Sequence, residues 1–245
     1  MTCYHGGKQR IGKQLAQQIY KTVKNLNFPI KGYCEPFCGM LGVYRYIPDL
    51  FQNDFANIIY KAGDINESVV KMWQEAQKGW KPPCVVTQSE FNFIKNQNGS
   101  SAIKGYVGHQ YCYGGQYFQG YSPKYGKSDD SSKTSNNISN IATRLKQIEF
   151  KAGSYTEFSH LQGYIIYCDP PYQNTACRYY DDDGKKRIFD TENFWQWCRK
   201  MAENNIVFVS SYCAPQDFQC VYSSSHQLTG SSINTRKRTE NLYTY

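Results

Sequence analysis

The sequence predicts an α/β fold built on a parallel sheet, and two observations support this class. Short apolar runs of strand length alternate along the chain with segments whose apolar residues recur at helical spacing. Such alternation is typical of parallel sheets with helices packed against them. The 245 residues, 16% of them aromatic, are also sufficient for one core, or for one core with a smaller lobe.

The first third of the chain is predicted to alternate helices and strands. Helices are expected at residues 11–27, 43–47 and 67–76, and strands at 32–36 and 57–62. The first helix is expected to bury a stripe of apolar residues spaced by four and three: Ile11, Leu15, Ile19, Val23 and Leu26.

The middle of the chain loses this regular pattern and the last third recovers it. Residues 128–140 are rich in Ser, Asn and Asp and predict a mobile loop, and a helix is expected at 140–150. Residues 163–168 and 206–210 read as buried strands on either side of an amphipathic helix at 192–203. From residue 221 onward, short β segments and loops are expected.

The composition constrains the environment more than the partner. A formal charge of +8 is compatible with nucleic acid, an anionic membrane surface or simple solubility. No apolar stretch reaches the roughly 18 residues of a membrane span, and the N-terminus has no apolar signal-peptide region. We therefore expect an intracellular protein that is not secreted and whose ten cysteines are reduced. No metal site is expected, because the sequence has no Cys-x-x-Cys pair and its histidines are isolated.

The strongest functional signal is the Asp-Pro-Pro-Tyr sequence at residues 169–172, directly after the apolar run at 163–168. Ligands of parallel sheets gather at the carboxyl ends of the strands. Two prolines stiffen the backbone beside the carboxylate of Asp169, and the ring of Tyr172 can stack on a planar group. The alternative is an ordinary tight turn without a ligand.

Three weaker signals precede this motif. Residues 35–42 (Glu-Pro-Phe-Cys-Gly-Met-Leu-Gly) place glycines between a strand and a helix, where the backbone either approaches a ligand closely or simply turns. Asp64 ends the second predicted strand, where a carboxylate either binds ribose hydroxyls or caps the next helix. Residues 4–8 (Tyr-His-Gly-Gly-Lys) are, taken alone, only a flexible start.

Taken together, the four motifs resemble the Dam-like, D12-class DNA adenine N6-methyltransferases, and they occur in the order of that family's alpha group. The resemblance covers nearly the whole chain. One departure concerns the glycine turn, which usually reads Phe-x-Gly-x-Gly; here Leu41 stands at the second glycine and Gly42 follows. Four further segments are similar to the phage and viral branch of the family: residues 113–121, 194–197, 210–215 and 238–243.

The resemblance implies an S-adenosylmethionine-dependent enzyme that methylates the N6 amino group of adenine in double-stranded DNA after base flipping. Asp169 and the carbonyl of Pro170 would accept the two N–H bonds of the adenine, and Tyr172 would stack on its ring. Lys8 would face the methionine carboxylate of the cofactor, and Asp64 would bind its ribose. The implied cofactor contacts are Tyr4, Lys8, Phe37, Gly39, Asp64 and Asp169, and the implied catalytic residues are Asp169, Pro170, Pro171 and Tyr172.

The resemblance also implies a domain organisation and a partner. A catalytic domain of residues 1–71 and 160–245 would be interrupted by a target-recognition lobe at residues 72–159. Double-stranded DNA would be the partner, bound in a way that weakens as salt rises. The recognised site, a companion restriction endonuclease and the oligomeric state stay open. Candidate phosphate contacts in the lobe are Lys124, Lys127, Lys133, Arg144 and Lys146, and the densest basic cluster is Arg236, Lys237 and Arg238.

Two other functions stay open. The enzyme could methylate another amino group, either cytosine N4 or an RNA adenine. Family members that act on cytosine more often carry Ser before Pro-Pro, so Asp169 favours adenine. The other alternative is a catalytically silent DNA-binding protein on a methyltransferase scaffold, and the intact motifs argue against it.

Overall fold

The computed structural model describes residues 4–55, 57–123, 128–172, 179–180, 186–187, 189–227 and 237–245. The α-helices are α1 (Gly12–Val23), α2 (Ile47–Phe51), α3 (Glu67–Gln77), α4 (Gln88–Lys95), α5 (Ala102–Gln110), α6 (Ser128–Arg144) and α7 (Thr191–Ala202). The strands are β1 (Gly32–Glu35), β2 (Ile59–Asp64), β3 (Ile148–Ala152), β4 (Tyr164–Cys168), β5 (Tyr179–Tyr180), β6 (Lys186–Arg187), β7 (Ile206–Ser211), β8 (Gln219–Gln227) and β9 (Lys237–Thr244).

One seven-stranded sheet organises these elements, in the order β3-β2-β1-β4-β7-β9-β8. The five strands from β3 to β7 are parallel, whereas β9 runs antiparallel to both β7 and β8. The predicted α/β class is therefore confirmed, with a two-stranded antiparallel edge in place of the short segments expected in the tail. Because the first strands are parallel, their carboxyl ends meet at one edge of the sheet.

Alternate residues of the central strands enter two separate apolar layers. Tyr33, Ile165 and Phe208 face the side covered by α1 and α3, whereas Ile166 and Val207 face the side covered by α7. A strand turns successive side chains to opposite faces, so this division requires helices on both sides of the sheet. The sheet is thus packed between two layers of helices, which fix the position of its carboxyl edge.

The helix predicted at residues 11–27 is shorter in the structure, where α1 ends at Val23. Four of its five predicted core residues are buried, but Leu26 is 47% exposed because it lies beyond the helix. The second strand is displaced from the predicted 57–62 to Ile59–Asp64. Asp64 is therefore the last residue of β2 and lies directly at the carboxyl edge.

The loop predicted at residues 128–140 is wrong, because α6 occupies it from Ser128 to Arg144. Ser, Asn and Asp disfavour helix interiors, but tertiary packing overrides such propensities. Ser135 and Ile138 are buried, and the hydroxyl of Ser135 donates to the carbonyl oxygen of Pro82 at 2.5 Å. The helix predicted at 140–150 is correspondingly wrong in its second half, where β3 pairs in parallel with β2.

This placement of β3 affects the organisation expected from the resemblance. The range 72–159 was assigned to a recognition lobe, yet its residues 148–152 form a strand of the central sheet. The helices α4 and α5 precede it, and α5 packs against α3 of the sheet layer. The separate lobe stays a prediction.

Candidate active site

The carboxyl ends of β1, β2 and β4 surround a cavity of about 250 Å³. Seven of the nine predicted site residues line it: Tyr4, Lys8, Phe37, Gly39, Asp64, Asp169 and Pro171. Pro170 is buried beside Asp169, and Tyr172 packs against Lys8, whose ammonium lies 4.9 Å from the centre of the Tyr172 ring. Motifs more than 160 residues apart in sequence therefore meet at one place, as Lys8 and Asp169 do.

Two backbone groups orient the carboxylate of Asp64. The N–H of Gly39 donates to Oδ2 and the N–H of Asn66 donates to Oδ1, both at 2.9 Å. The cap of α3 is Asn66, whose side chain accepts from the N–H of Val69 at 3.2 Å. Asp64 is therefore not the helix cap that the sequence left open, and its carboxylate faces the cavity instead.

The glycine turn brings the backbone close to the N-terminal segment. Gly39 has φ +42°, and a Cβ at this position would lie 2.8 Å from the ring of Tyr4. Its carbonyl accepts a hydrogen bond from the indole N–H of Trp73 at 2.8 Å. Leu41, where the family usually has glycine, is fully buried and has φ +52°, so the turn keeps a left-handed residue there despite its side chain.

Lys8 and Asp169 form the central ion pair of the site. The ammonium of Lys8 donates to both carboxylate oxygens of Asp169, at 2.6 and 2.7 Å, and to the carbonyl of Gly6 at 2.8 Å. Burial raises the pKa of Asp169 to about 6; Lys8 opposes this shift and Glu240 adds to it. Burial alone would lower the pKa of Lys8, but the two carboxylates outweigh it and leave that pKa raised.

Sequence reasoning assigned no role to Glu240, which the structure places in this site. One of its carboxylate oxygens accepts from the hydroxyl of Tyr172 at 2.9 Å and lies 3.3 Å from the ammonium of Lys8. The strand β9 returns antiparallel to β7 and so carries Glu240 to the carboxyl edge. Its segment was noted for family likeness, but no sequence pattern indicates that the last strand reaches the first motif.

Glu35 was quoted with the glycine turn but not assigned a role. Its carboxyl group is buried at the end of β1, lines the cavity and accepts a hydrogen bond from the hydroxyl of Tyr33 at 2.8 Å. Burial raises the pKa of Glu35 well above its usual range. The sequence signal that could have identified Glu35 is its position as an acidic residue at the end of a predicted strand.

Aromatic side chains form the apolar wall of the cavity. The ring of Phe37 stacks on that of Tyr155, with the centroids 5.6 Å apart and the planes inclined by 26°. Phe189 and Phe194 pack edge-on against Phe37. Tyr155 was missed because the strand that precedes it, β3, was predicted as a helix.

The N-terminal segment connects the cavity to the middle of the chain. The ring of Tyr4 lies 4.5 Å from that of His109 in α5, and the N–H of His5 donates to the carbonyl of Gly115 at 3.3 Å. The same carbonyl lies 2.9 Å from Nδ1 of His109, which donates when it carries the proton. Tyr4 is therefore held between the glycine turn on one side and α5 with its following turn on the other.

The candidate phosphate contacts are only partly described. Lys133 and Lys146 are exposed. Arg144 pairs with Asp49 at 2.6 Å, near the amino end of β2 and thus at the edge of the sheet opposite the cavity, which argues against its candidacy. Lys124, Lys127 and Arg236 lie outside the described residues, as do the side chains of Lys237 and Arg238.

Neither a metal cluster nor a membrane-spanning helix is found in the described part of the chain. No group of three or more His, Cys, Asp or Glu side chains is arranged there to hold a metal ion. None of the helices described above is both long and apolar enough to cross a bilayer.

Comparison with solved structures gives only distant likenesses. The rRNA methyltransferase aviRa from Streptomyces viridochromogenes is 10% identical over 95% of this chain and 84% of its own, with a TM-score of 0.39. A putative methylase from Haemophilus influenzae is 10% identical over 95% and 97%, with a TM-score of 0.37. A putative methyltransferase solved with SAH is 12% identical over 100% of this chain and 56% of its own, with a TM-score of 0.33.

Comparison of sequences is more informative. No curated protein matches the chain significantly. A family model does match it, over residues 106–239, which is more than half of the 245 residues and includes the Asp-Pro-Pro-Tyr motif. The chain belongs to the D12 class of N6-adenine-specific DNA methyltransferases.

Proposed function

We propose that this methyltransferase transfers a methyl group to the N6 amino group of an adenine flipped out of double-stranded DNA. The observation that carries the proposal is the carboxylate of Asp169, fixed at the end of β4 beside a cavity that also contains Asp64. Asp169 would accept one N–H of the adenine and the carbonyl of Pro170 the other. Accepting both N–H bonds localises the nitrogen lone pair, so positioning and electrostatics replace a strong general base.

S-adenosylmethionine, the methyl donor of the family, would supply a methyl group that is bonded to a positively charged sulfur, and this sulfur would become a neutral thioether after the transfer. The cavity suits such a nucleoside cofactor in three respects. It has an oriented carboxylate at Asp64 for ribose hydroxyls, an aromatic wall at Phe37 and Tyr155, and a close backbone approach at Gly39. Tyr4 would help to close the pocket, since it packs against Gly39.

The charge of Lys8 would serve two groups. The family resemblance implies that its ammonium faces the methionine carboxylate, and the structure pairs it with Asp169. An ammonium has three donors, so a contact with the methionine carboxylate would replace the bond that Lys8 gives to the carbonyl of Gly6. When the adenine nitrogen gains the methyl group it loses one proton to water.

Base flipping is required by the geometry of the duplex. The N6 group of a stacked adenine cannot reach the end of a carboxylate set into a cavity, so the base must leave the stack. Tyr172, held by Glu240 and packed edge-on against Tyr212 at 4.7 Å, would contact the flipped ring. The glycine- and tyrosine-rich segment at residues 111–121, which follows α5, would contact the duplex DNA around the flipped base.

The assignment of Asp169 is tested by replacing its carboxylate. Asp169→Ala should lose methyl transfer by a factor of at least about 100, since an acceptor used in the transition state is removed. The folded protein should still bind S-adenosylhomocysteine in a thermal-shift titration. Glu203→Gln, which neutralises an exposed carboxylate at the end of α7, is the charge-matched control.

Near-normal transfer by Asp169→Ala would reject the assignment. The same titration examines the silent DNA-binding alternative. Absence of a thermal shift with either S-adenosylmethionine or S-adenosylhomocysteine in the unaltered protein would favour that alternative over an enzyme.

A further inference from the structure

The proposed mechanism gives Glu240 no role in the chemistry, although its carboxylate lies beside Lys8 and Tyr172. It is 14% exposed and lies on β9, far in sequence from the other site residues. Burial of a carboxylate is unfavourable unless charged or hydrogen-bonding partners compensate for the hydration it loses. Its two partners, Lys8 and Tyr172, both belong to the candidate active site.

All three N–H donors of the Lys8 ammonium have acceptors within the protein. The ammonium has three N–H bonds, and three acceptors lie at 2.6 to 2.8 Å: the two oxygens of Asp169 and the carbonyl of Gly6. Glu240 lies only slightly farther away, at 3.3 Å. Lys8 is thus placed between two carboxylates, with the tighter contact to Asp169.

The incoming amino group competes with Lys8 for Asp169. The positive charge of the ammonium repels the partly positive hydrogen of a further N–H group that approaches the same oxygens. Moving the ammonium toward Glu240 frees one oxygen of Asp169 without leaving a buried cation unpaired. Glu240 also keeps its bond to the hydroxyl of Tyr172, so the aromatic ring stays in place during the exchange.

We propose that Glu240 is a positioning residue, which takes over Lys8 when the target amino group occupies Asp169. This inference rests on the proposed function for the identity of the amino group, but the exchange depends only on the two carboxylates and the lysine. Among the described residues, the titratable or charged groups that face Asp169 are Lys8, Glu240, Tyr172, Tyr167 and Glu35.

The test is Glu240→Gln, which keeps an oxygen for the Tyr172 hydroxyl and removes the charge. Among the described side chains, Asp169 is then the only carboxylate partner of Lys8, so the plateau value of kcat should fall by about tenfold or more, the value of a charged hydrogen bond. Loss of the nearby negative charge, which raises the pKa of Asp169, should also move the acid limb of kcat/KM to lower pH. Glu240→Asp should restore the limb, and Glu203→Gln should change neither property.

A purely structural role for Glu240 would lower the plateau without moving the acid limb, and that result would overturn the proposal. Unchanged kinetics in Glu240→Gln would overturn it as well, while leaving the proposed function intact. If the unaltered protein transfers no methyl group to DNA, the proposed function fails and a second readout decides. In carbon-13 NMR of carboxyl-labelled aspartate, assigned with Asp169→Asn, the Asp169 titration should move to lower pH in Glu240→Gln; no movement would reject the inference.

Discussion

Partly buried charged side chains determine the electrostatics of the site. Asp169 is 18% exposed and its pKa is raised to about 6 by burial, against the opposing effect of Lys8. A carboxyl group with such a pKa is ionised at neutral pH but close to its midpoint. In the proposed mechanism Asp169 accepts the target N–H, so its ionisation should also set the pH range of the enzyme.

We expect the activity to decline below about pH 6, because the ionised carboxylate of Asp169 is the form that accepts an N–H bond of the target amino group. In that range kcat/KM should fall by about tenfold per pH unit. The folded-state pKa lies above that of an unfolded aspartate, so protonation of Asp169 does not itself destabilise the fold. The loss should appear in rate profiles from pH 5 to 8 while thermal unfolding shows the protein still folded; a flat profile would contradict this role.

At the scale of elements, the contact between the turn after α5 and the N-terminal segment links the middle of the chain to the cavity. Gly115 has φ +69°, and a Cβ there would lie 2.7 Å from the backbone nitrogen of Tyr4. Gly114 has a similar φ of +61°, but a Cβ there would meet nothing within 4 Å. The two adjacent glycines therefore separate a steric effect on Tyr4 from ordinary backbone strain.

Gly115→Ala should displace Tyr4 from the glycine turn and weaken cofactor binding by about tenfold, which is 1.4 kcal/mol. Gly114→Ala carries the same left-handed strain without the clash and should bind nearly as well as the unaltered protein. Calorimetric titration with S-adenosylhomocysteine measures both. Equal affinities for the two variants would show that the middle of the chain does not position Tyr4.

The elements that were predicted well are those whose apolar sequence pattern results from burial in or against the sheet. The strand β4 and the motif after it were recognisable, because an apolar run ending in Asp-Pro-Pro-Tyr has few other meanings. The helix α6 was missed because its polar residues disfavour helices, and only contacts such as Ser135 with Pro82 reveal why it forms. Because β3 was not predicted as a strand, the position of Tyr155, which follows it, could not be predicted either.

Contacts between distant segments were the other limit. The sequence identified Tyr4, Lys8 and Asp64 as site residues from their family pattern, and all three line the cavity. It did not identify Glu240, because the approach of β9 to the N-terminal motif follows from strand order and not from any local pattern. The residues added by the structure are thus those brought in by topology.

At the scale of the whole molecule, the formal charge of +8 contrasts with the acidic side chains at the cavity. A positively charged protein attracts the phosphate backbone over long distances. The acidic residues Glu35, Asp64, Asp169 and Glu240, by contrast, gather at the carboxyl edge of the sheet. The molecule would therefore attract duplex DNA broadly and direct one exposed amino group to a locally acidic cavity.

The most direct test of this account is to incubate the purified protein with S-adenosylmethionine carrying a labelled methyl group and with duplex DNA, single-stranded DNA or RNA. The nucleosides released by digestion are then separated. The account predicts label in N6-methyladenine from duplex DNA, and its absence when Asp169→Ala replaces the unaltered protein. Label in N4-methylcytosine, label confined to RNA, or no transfer by a protein that binds the cofactor would contradict it.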